Sequence, residues 1–304
     1  DFWGAPLPYL DQLTLKVLPD ESTRASALRS GAIDGGVFNS YDVVRTMEND
    51  PNLTVLKGLF AAPRVLQFTL KGQDKPWETK EVRQAISKCI DRQIIIDNVY
   101  AGEAVLTGPI PPGYGDWFID PEELAEKWFK VDIDGAKKLM ADAGFADGFD
   151  ITMYAYGTPE YGSIGEVVKE QLKAIKVNVD VISEEGGSFA KRVGDGDFDW
   201  CATGRGMRND PTNFVNDFGA PDKGNGVKWF EGGNGWKNDE LVAAFNEALN
   251  NLDSDIRHAA IRKVQELVLD EVPHVYLVQP YWYHVVQNYV KDMYASFTNF
   301  FPGL

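Results

Sequence analysis

Cysteine is nearly absent from this chain. Cys89 and Cys201 are the only two among 304 residues, which excludes a disulfide framework. Cys89 falls on an apolar helical face, where a small buried thiol is the ordinary reading, and a bond between the two remains an open alternative. Histidine is as sparse: His258, His274 and His284 stand apart, without the close spacing of metal ligands, so no metal or other cofactor is expected. Positive charge is short as well. Thirty Lys and Arg face 46 Asp and Glu, a net charge of −16, and so acidic a surface repels phosphate backbones and anionic headgroups. Nucleic acid is therefore not expected as a partner. No apolar run reaches the about 18 residues of a membrane span. What is present is a hydrophobic share of 44% with 12% aromatic residues, enough for one or two packed cores.

Enzyme motifs are also missing. Gly162-Ser163-Ile164-Gly165 approaches a nucleophile elbow, but Tyr161 occupies the first glycine position, and Ser163 with Glu166 fits a helix capping box instead. The run Gly204-Arg205-Gly206-Met207-Arg208-Asn209 lacks the third glycine of a dinucleotide fingerprint, and no Gly-Lys-Ser/Thr loop occurs. Asp195, Asp197 and Asp199 open like a calcium loop, yet Trp200 stands where that loop needs glycine and Gly206 where it needs glutamate. No catalytic residue is assigned, and a binding protein is favoured over an enzyme.

Taken in order, Leu13, Leu15 and Val17 alternate as a strand. Asp20 or Ser22 caps a helix from Thr23 to Ser30, which Gly31 ends. Strands are expected at 33–38, 53–56 and 65–68, with a short helix at 42–47. Val82, Ala85, Ile86, Cys89 and Ile90 then repeat at helical spacing, leaving Glu81, Arg83, Gln84 and Lys88 for water. Asp134 is placed to cap the helix that ends at Gly144. Residues 150–182 read as strand, helix, strand, a β-α-β unit with Ser163 at the start of its helix. A short strand follows at 198–203. Leu241, Phe245, Ala248, Leu249 and Leu252 line one amphipathic helix, and Ile256, Ala260, Val264, Leu267 and Val268 line the next.

Several of these pieces together are similar to extracellular solute-binding protein family 5, the oligopeptide, dipeptide and nickel class of receptors that serve ABC transporters. They are Asp20 to Asp34 (D..TR..AL.SG.ID), Val82-Arg83-Gln84-Ala85-Ile86 with Ile90-Asp91-Arg92, Gly102-Glu103-Ala104, the Pro109-Ile110-Pro111-Pro112 loop, and Asp210-Pro211-Thr212-Asn213-Phe214. The resemblance implies an α/β fold of the periplasmic-binding-protein type II class, two lobes joined by a hinge, truncated at the N-terminus. Residues 1–68 and 276–304 would then belong to the first lobe and 69–275 to the second, with hinge candidates at 64–70 and 275–281. It also implies a ligand-binding receptor for a peptide or other small solute. The partner would be an ABC-transporter permease in the membrane, and the location periplasmic or extracellular and membrane-tethered as a lipoprotein. The alternatives are a carboxylate-dependent hydrolase such as a glycosidase, or a signalling or chaperone-like binding module.

The segment implied to line the ligand cavity supplies the candidate site residues Trp200, Gly204, Arg205, Gly206, Met207, Arg208, Asp210 and Asn213. Peptide receptors of the family often carry an acidic residue where Met207 or Arg208 stands. Arg205 and Arg208 would instead favour an acidic ligand group, since guanidinium forks match planar oxyanions. The alternative is that one or both pair with Asp210, Asp217 or another local acid and never meet the ligand. Among the clustered aromatics Trp200, Trp229, Phe230, Trp236, Tyr281, Trp282 and Tyr283, one or two are expected at the ligand and the others in packing.

Overall fold

The structure, a computed structural model, describes residues 11–69, 75–204, 210 and 238–293. Among these the chain divides into two compact units: residues up to Phe60 with those from Tyr281 on, and Ala61–Pro280.

The smaller unit is a three-stranded arrangement backed by helices. Helix α1 (Glu21–Arg29) is capped by Asp20, whose carboxylate accepts from the Thr23 N–H at 2.6 Å. It turns Ala25 and Leu28 inward. Strand β1 (Gly35–Phe38), helix α2 (Tyr41–Val44) and strand β2 (Leu53–Leu59) follow. The gap between β1 and β2 is filled from the far end of the chain, where residues 281–287 run antiparallel to both; Phe38 faces Tyr283, and Val55 faces Val285. Phe38, Val44, Met47, Leu53, Tyr283 and Val285 close the core with the α1 residues. The strand expected at Leu13–Val17 does not form. That segment has no regular structure, and Leu13, Leu15 and Val17 are exposed, because no described strand offers it a ladder.

The larger unit is built on β3 (Arg64–Phe68). Helices α3 (Lys80–Cys89) and α4 (Arg92–Tyr100) follow, then strand β4 (Ala104–Leu106) and helices α5 (Pro121–Lys127) and α6 (Ile133–Asp142). Next come β5 (Phe149–Tyr156), α7 (Pro159–Leu172), β6 (Val177–Glu184), α8 (Gly186–Asp195) and β7 (Trp200–Gly204). Helices α9 (Asp239–Asn250) and α10 (Ser254–Glu271) pack on one another and lead into β8 (His274–Tyr276) and β9 (Val278–Gln287). The sheet order is β6-β5-β7-β3-β8. β5 is parallel to β6 and β7, and β3 is antiparallel to β7 and β8. Strand β4 pairs separately with 278–280, the first residues of β9. β3 belongs to this larger unit, hydrogen-bonded on both edges inside its sheet.

Local details differ from the sequence reading for identifiable reasons. Arg83, expected in water, is buried; its guanidinium donates to the carbonyls of Trp77, Glu78 and Glu271 and so ties α3 to the end of α10. Asp132 rather than Asp134 caps α6, accepting from the Gly135 N–H at 2.9 Å. Helix α7 starts at Pro159, where a missing N–H costs nothing, so Ser163 lies inside the helix rather than at its cap. Leu252 is fully exposed, since α9 ends at Asn250 and leaves it in the link.

Gly165 sets how closely α7 approaches the sheet: a β-carbon there would sit 2.8 Å from Val181 Cγ1. Gly165→Ala is therefore expected to destabilise the unit by about 1–3 kcal/mol through overpacking. Gly194→Ala, at a helical position with nothing within 4 Å, is expected to be neutral or stabilising. Urea unfolding of the two variants checks the contrast, and equal midpoints would overturn it.

Candidate functional site

Parallel strands place their carboxyl ends on one edge of a sheet, which is where open α/β folds commonly hold ligands. In the larger unit that edge carries Tyr156 of β5, Glu184 of β6 and Gly204 of β7, with the first turn of α7 rising from it. Antiparallel β3 begins at the same edge, and its first residue, Arg64, lies opposite Gly204.

Arg64 is only 3% exposed. Its Nε donates to Glu160 Oε1 at 2.6 Å, and its Nη1 to the Ala62 carbonyl at 2.8 Å. The Tyr100 hydroxyl, at the end of α4, donates to the same Glu160 oxygen. Tyr161 lays its ring near the guanidinium, with Cζ 5.3 Å from the ring centroid, and Tyr156 meets Tyr161 edge-on at 5.8 Å. Gly204 completes the cluster by lacking a side chain: a β-carbon there would stand 2.6 Å from Tyr161 Oη and 3.2 Å from Arg64 Nη1.

The electrostatics are balanced. Burial pulls the Arg64 guanidinium down, but the Glu160 carboxylate, with Tyr161 and Tyr100, holds it above its ordinary value. Burial and the same carboxylate raise the Tyr100 hydroxyl well above the ordinary phenol range, and burial pushes Tyr161 up to about 12. A guanidinium held in its charged form and two phenols held in their neutral form therefore share this edge with the Glu160 side chain. Three polar atoms hold no hydrogen bond among the described residues: Arg64 Nη2, Glu160 Oε2 and Tyr161 Oη.

Of the residues singled out in the sequence, Gly204 lies in this cluster. Trp200 is wholly buried below it, its ring 5.0 Å from Phe68 and 5.9 Å from Trp77 in edge contacts. Asp210 is exposed. Arg205, Gly206, Met207, Arg208 and Asn213 lie outside the described residues. Arg64, Tyr100, Glu160 and Tyr161 were not anticipated. The available signal was a charge opening the otherwise apolar strand Arg64-Val65-Leu66 and an acidic residue just after a helix-starting proline, Pro159-Glu160.

Comparison with known proteins follows the same lines. Residues 1–226 match the family described as bacterial extracellular solute-binding proteins, family 5 Middle. The heme-binding protein A of Haemophilus influenzae is 26% identical over 90% of this chain and 49% of its own length. A di/tripeptide-binding protein 1 of Pseudomonas aeruginosa is 26% identical over 97% of this chain and 54% of its own. Among solved structures, the periplasmic binding protein DppA of Helicobacter pylori, in complex with the peptide STSA, superposes with a TM-score of 0.78 at 26% identity. It covers 94% of this chain and 55% of that one. The chain thus spans about half the length of the curated relatives it matches.

Proposed function

Since this chain belongs to the bacterial extracellular solute-binding proteins of family 5, we propose that it forms part of a receptor that captures a small solute outside the cytoplasm and hands it to an ABC-transporter permease. The observation that carries the reading is the cluster at the carboxyl edge of the larger unit's sheet. Three polar atoms with no hydrogen-bond partner among the described residues, set among aromatic rings, are convergent polar groups of the kind a ligand site presents. Arg64 and Gly204 open and close the two central strands there, so the anchoring groups sit on rigid elements. The relatives named above are binding proteins, and the cluster needs no chemical step to act: its groups hold, orient and release.

Delivery in this reading follows from closure. A ligand touching more than one body favours the closed form by its differential affinity for the two states, and the permease reads that form. The proposed hinges are the two places where the chain passes between its units, near residues 60–61 and 280–281, since β3 is held on both edges within the larger unit's sheet; periplasmic or lipid-tethered placement is part of the same reading. Native mass spectrometry of the whole protein as purified is the test. A stoichiometric small molecule that leaves on mild unfolding is expected; an empty protein that binds no solute from a broad panel of small peptides, sugars and metal complexes would sink the reading.

A further inference from the structure

Resting on that receptor reading, we infer that Arg64, Glu160 and Tyr161 form a net-neutral subsite that grips an uncharged amide of the ligand, Arg64 Nη2 donating to its carbonyl and Glu160 Oε2 accepting from its N–H.

The argument is one of complementary vacancies. Glu160 uses one carboxylate oxygen twice, for Arg64 Nε and the Tyr100 hydroxyl, and its other oxygen has no partner among the described residues. Arg64 uses Nε and Nη1, and its Nη2 has no partner among the described residues. A bidentate guanidinium–carboxylate fork would have joined these two leftover groups, but the pair is held by a single prong, so one strong donor and one strong acceptor of the same ion pair are left over. Leaving such groups unmatched in a nearly buried setting is costly, and a ligand that supplies both partners recovers that cost.

Charge then selects the ligand group. A ligand carboxylate drawn to Arg64 is opposed by Glu160, and a ligand ammonium drawn to Glu160 is opposed by Arg64. An amide carries both complements and no net charge. Tyr161, a phenol against this pair, holds its hydroxyl close to the Gly204 backbone, an approach that only a missing side chain permits, and that hydroxyl can donate or accept. Tyr100 plays a different part: its hydroxyl holds the Glu160 oxygen that does not face the ligand, which makes it a positioning residue. This preference concerns the cluster alone, and it differs from the acidic ligand group expected of Arg205 and Arg208.

The experiment is isothermal calorimetry on the whole protein with three probes: tri-alanine, succinate and cadaverine. The wild type should bind tri-alanine more tightly than either of the others. Glu160→Gln removes the opposing charge while keeping the shape, so tri-alanine should weaken at least about tenfold, the loss of one hydrogen bond to a charged group, while succinate gains. Tyr161→Phe keeps the ring and should weaken tri-alanine without changing the order of the three, which covers the case in which Glu160→Gln folds poorly. A wild type that prefers succinate or cadaverine, or fails to bind tri-alanine, overturns the subsite. So does unchanged tri-alanine affinity in both variants, or an equal loss for all three probes. If a co-purified solute is present and those results are negative, the receptor reading stands and only the amide subsite falls; an empty protein that binds no probe removes both.

Discussion

Arg64→Ala should destabilise the larger unit by about 3–5 kcal/mol, the loss that follows when one partner of a buried ion pair is removed and the other is left behind. Arg64 is 3% exposed, and its partner Glu160 sits 2.6 Å away with its side chain 16% exposed. Without the guanidinium, Glu160 keeps only the Tyr100 hydroxyl, and the Ala62 carbonyl loses its donor. Replacing both residues by methionine is expected to return much of the stability, since a well-packed apolar pair often equals or exceeds a buried ion pair. Urea unfolding of the single and double variants measures both statements. A single-variant cost below about 1 kcal/mol, the range of a solvated surface pair, would show that Arg64 is not the buried anchor described. The same comparison separates stability from ligand reading, because the double variant should fold yet lose the preference for tri-alanine.

Trp200→Ala is expected to cost about 3–5 kcal/mol by the same assay, as for other fully buried large aromatics. Its ring meets Phe68, Trp77 and Phe149 edge-on, with centroids 5.0, 5.9 and 6.5 Å away, and it sits where β7 crosses between β5 and β3. Trp200→Phe should be much milder. The indole Nε1 has no hydrogen-bond partner among the described residues, so phenylalanine forfeits volume but no hydrogen bond. Comparable losses for the two variants would indicate that the indole N–H carries the position, against the packing account. Loss of ligand affinity in a Trp200→Phe variant that folds normally would place this side chain at the ligand, where the sequence reading had it.

Much of the architecture was legible because it is local. The helical spacing of Val82, Ala85, Ile86 and Cys89 appears as the buried face of α3. The alternation of Ile151, Met153 and Ala155, and of Val177 and Val179, appears as two parallel strands joined by a helix. Misreadings occurred where a neighbour distant in sequence decided the outcome. Arg83 looked solvated until Glu271 came to meet it. Leu13 to Val17 had the period of a strand but no described partner to pair with. The Ser163 box was outcompeted by a proline four residues earlier, which already supplied the fixed φ a helix start needs.

The sequence by itself determined the periods and the charge balance, since these depend on side chains a few residues apart or on composition alone: the buried face of α3, the β5-α7-β6 unit, and a net charge of −16. Only the tertiary structure decided the site. Arg64 and Glu160 are separated by 96 positions and Arg64 faces Gly204 across a strand pair. No local spacing encodes such a meeting, because it exists only once the sheet order β6-β5-β7-β3-β8 brings the start of an antiparallel strand to the edge where the parallel ones end. Burial then makes the pair matter, since a guanidinium and a carboxylate that would be near-silent in water become an anchor when most of the surrounding solvent is removed.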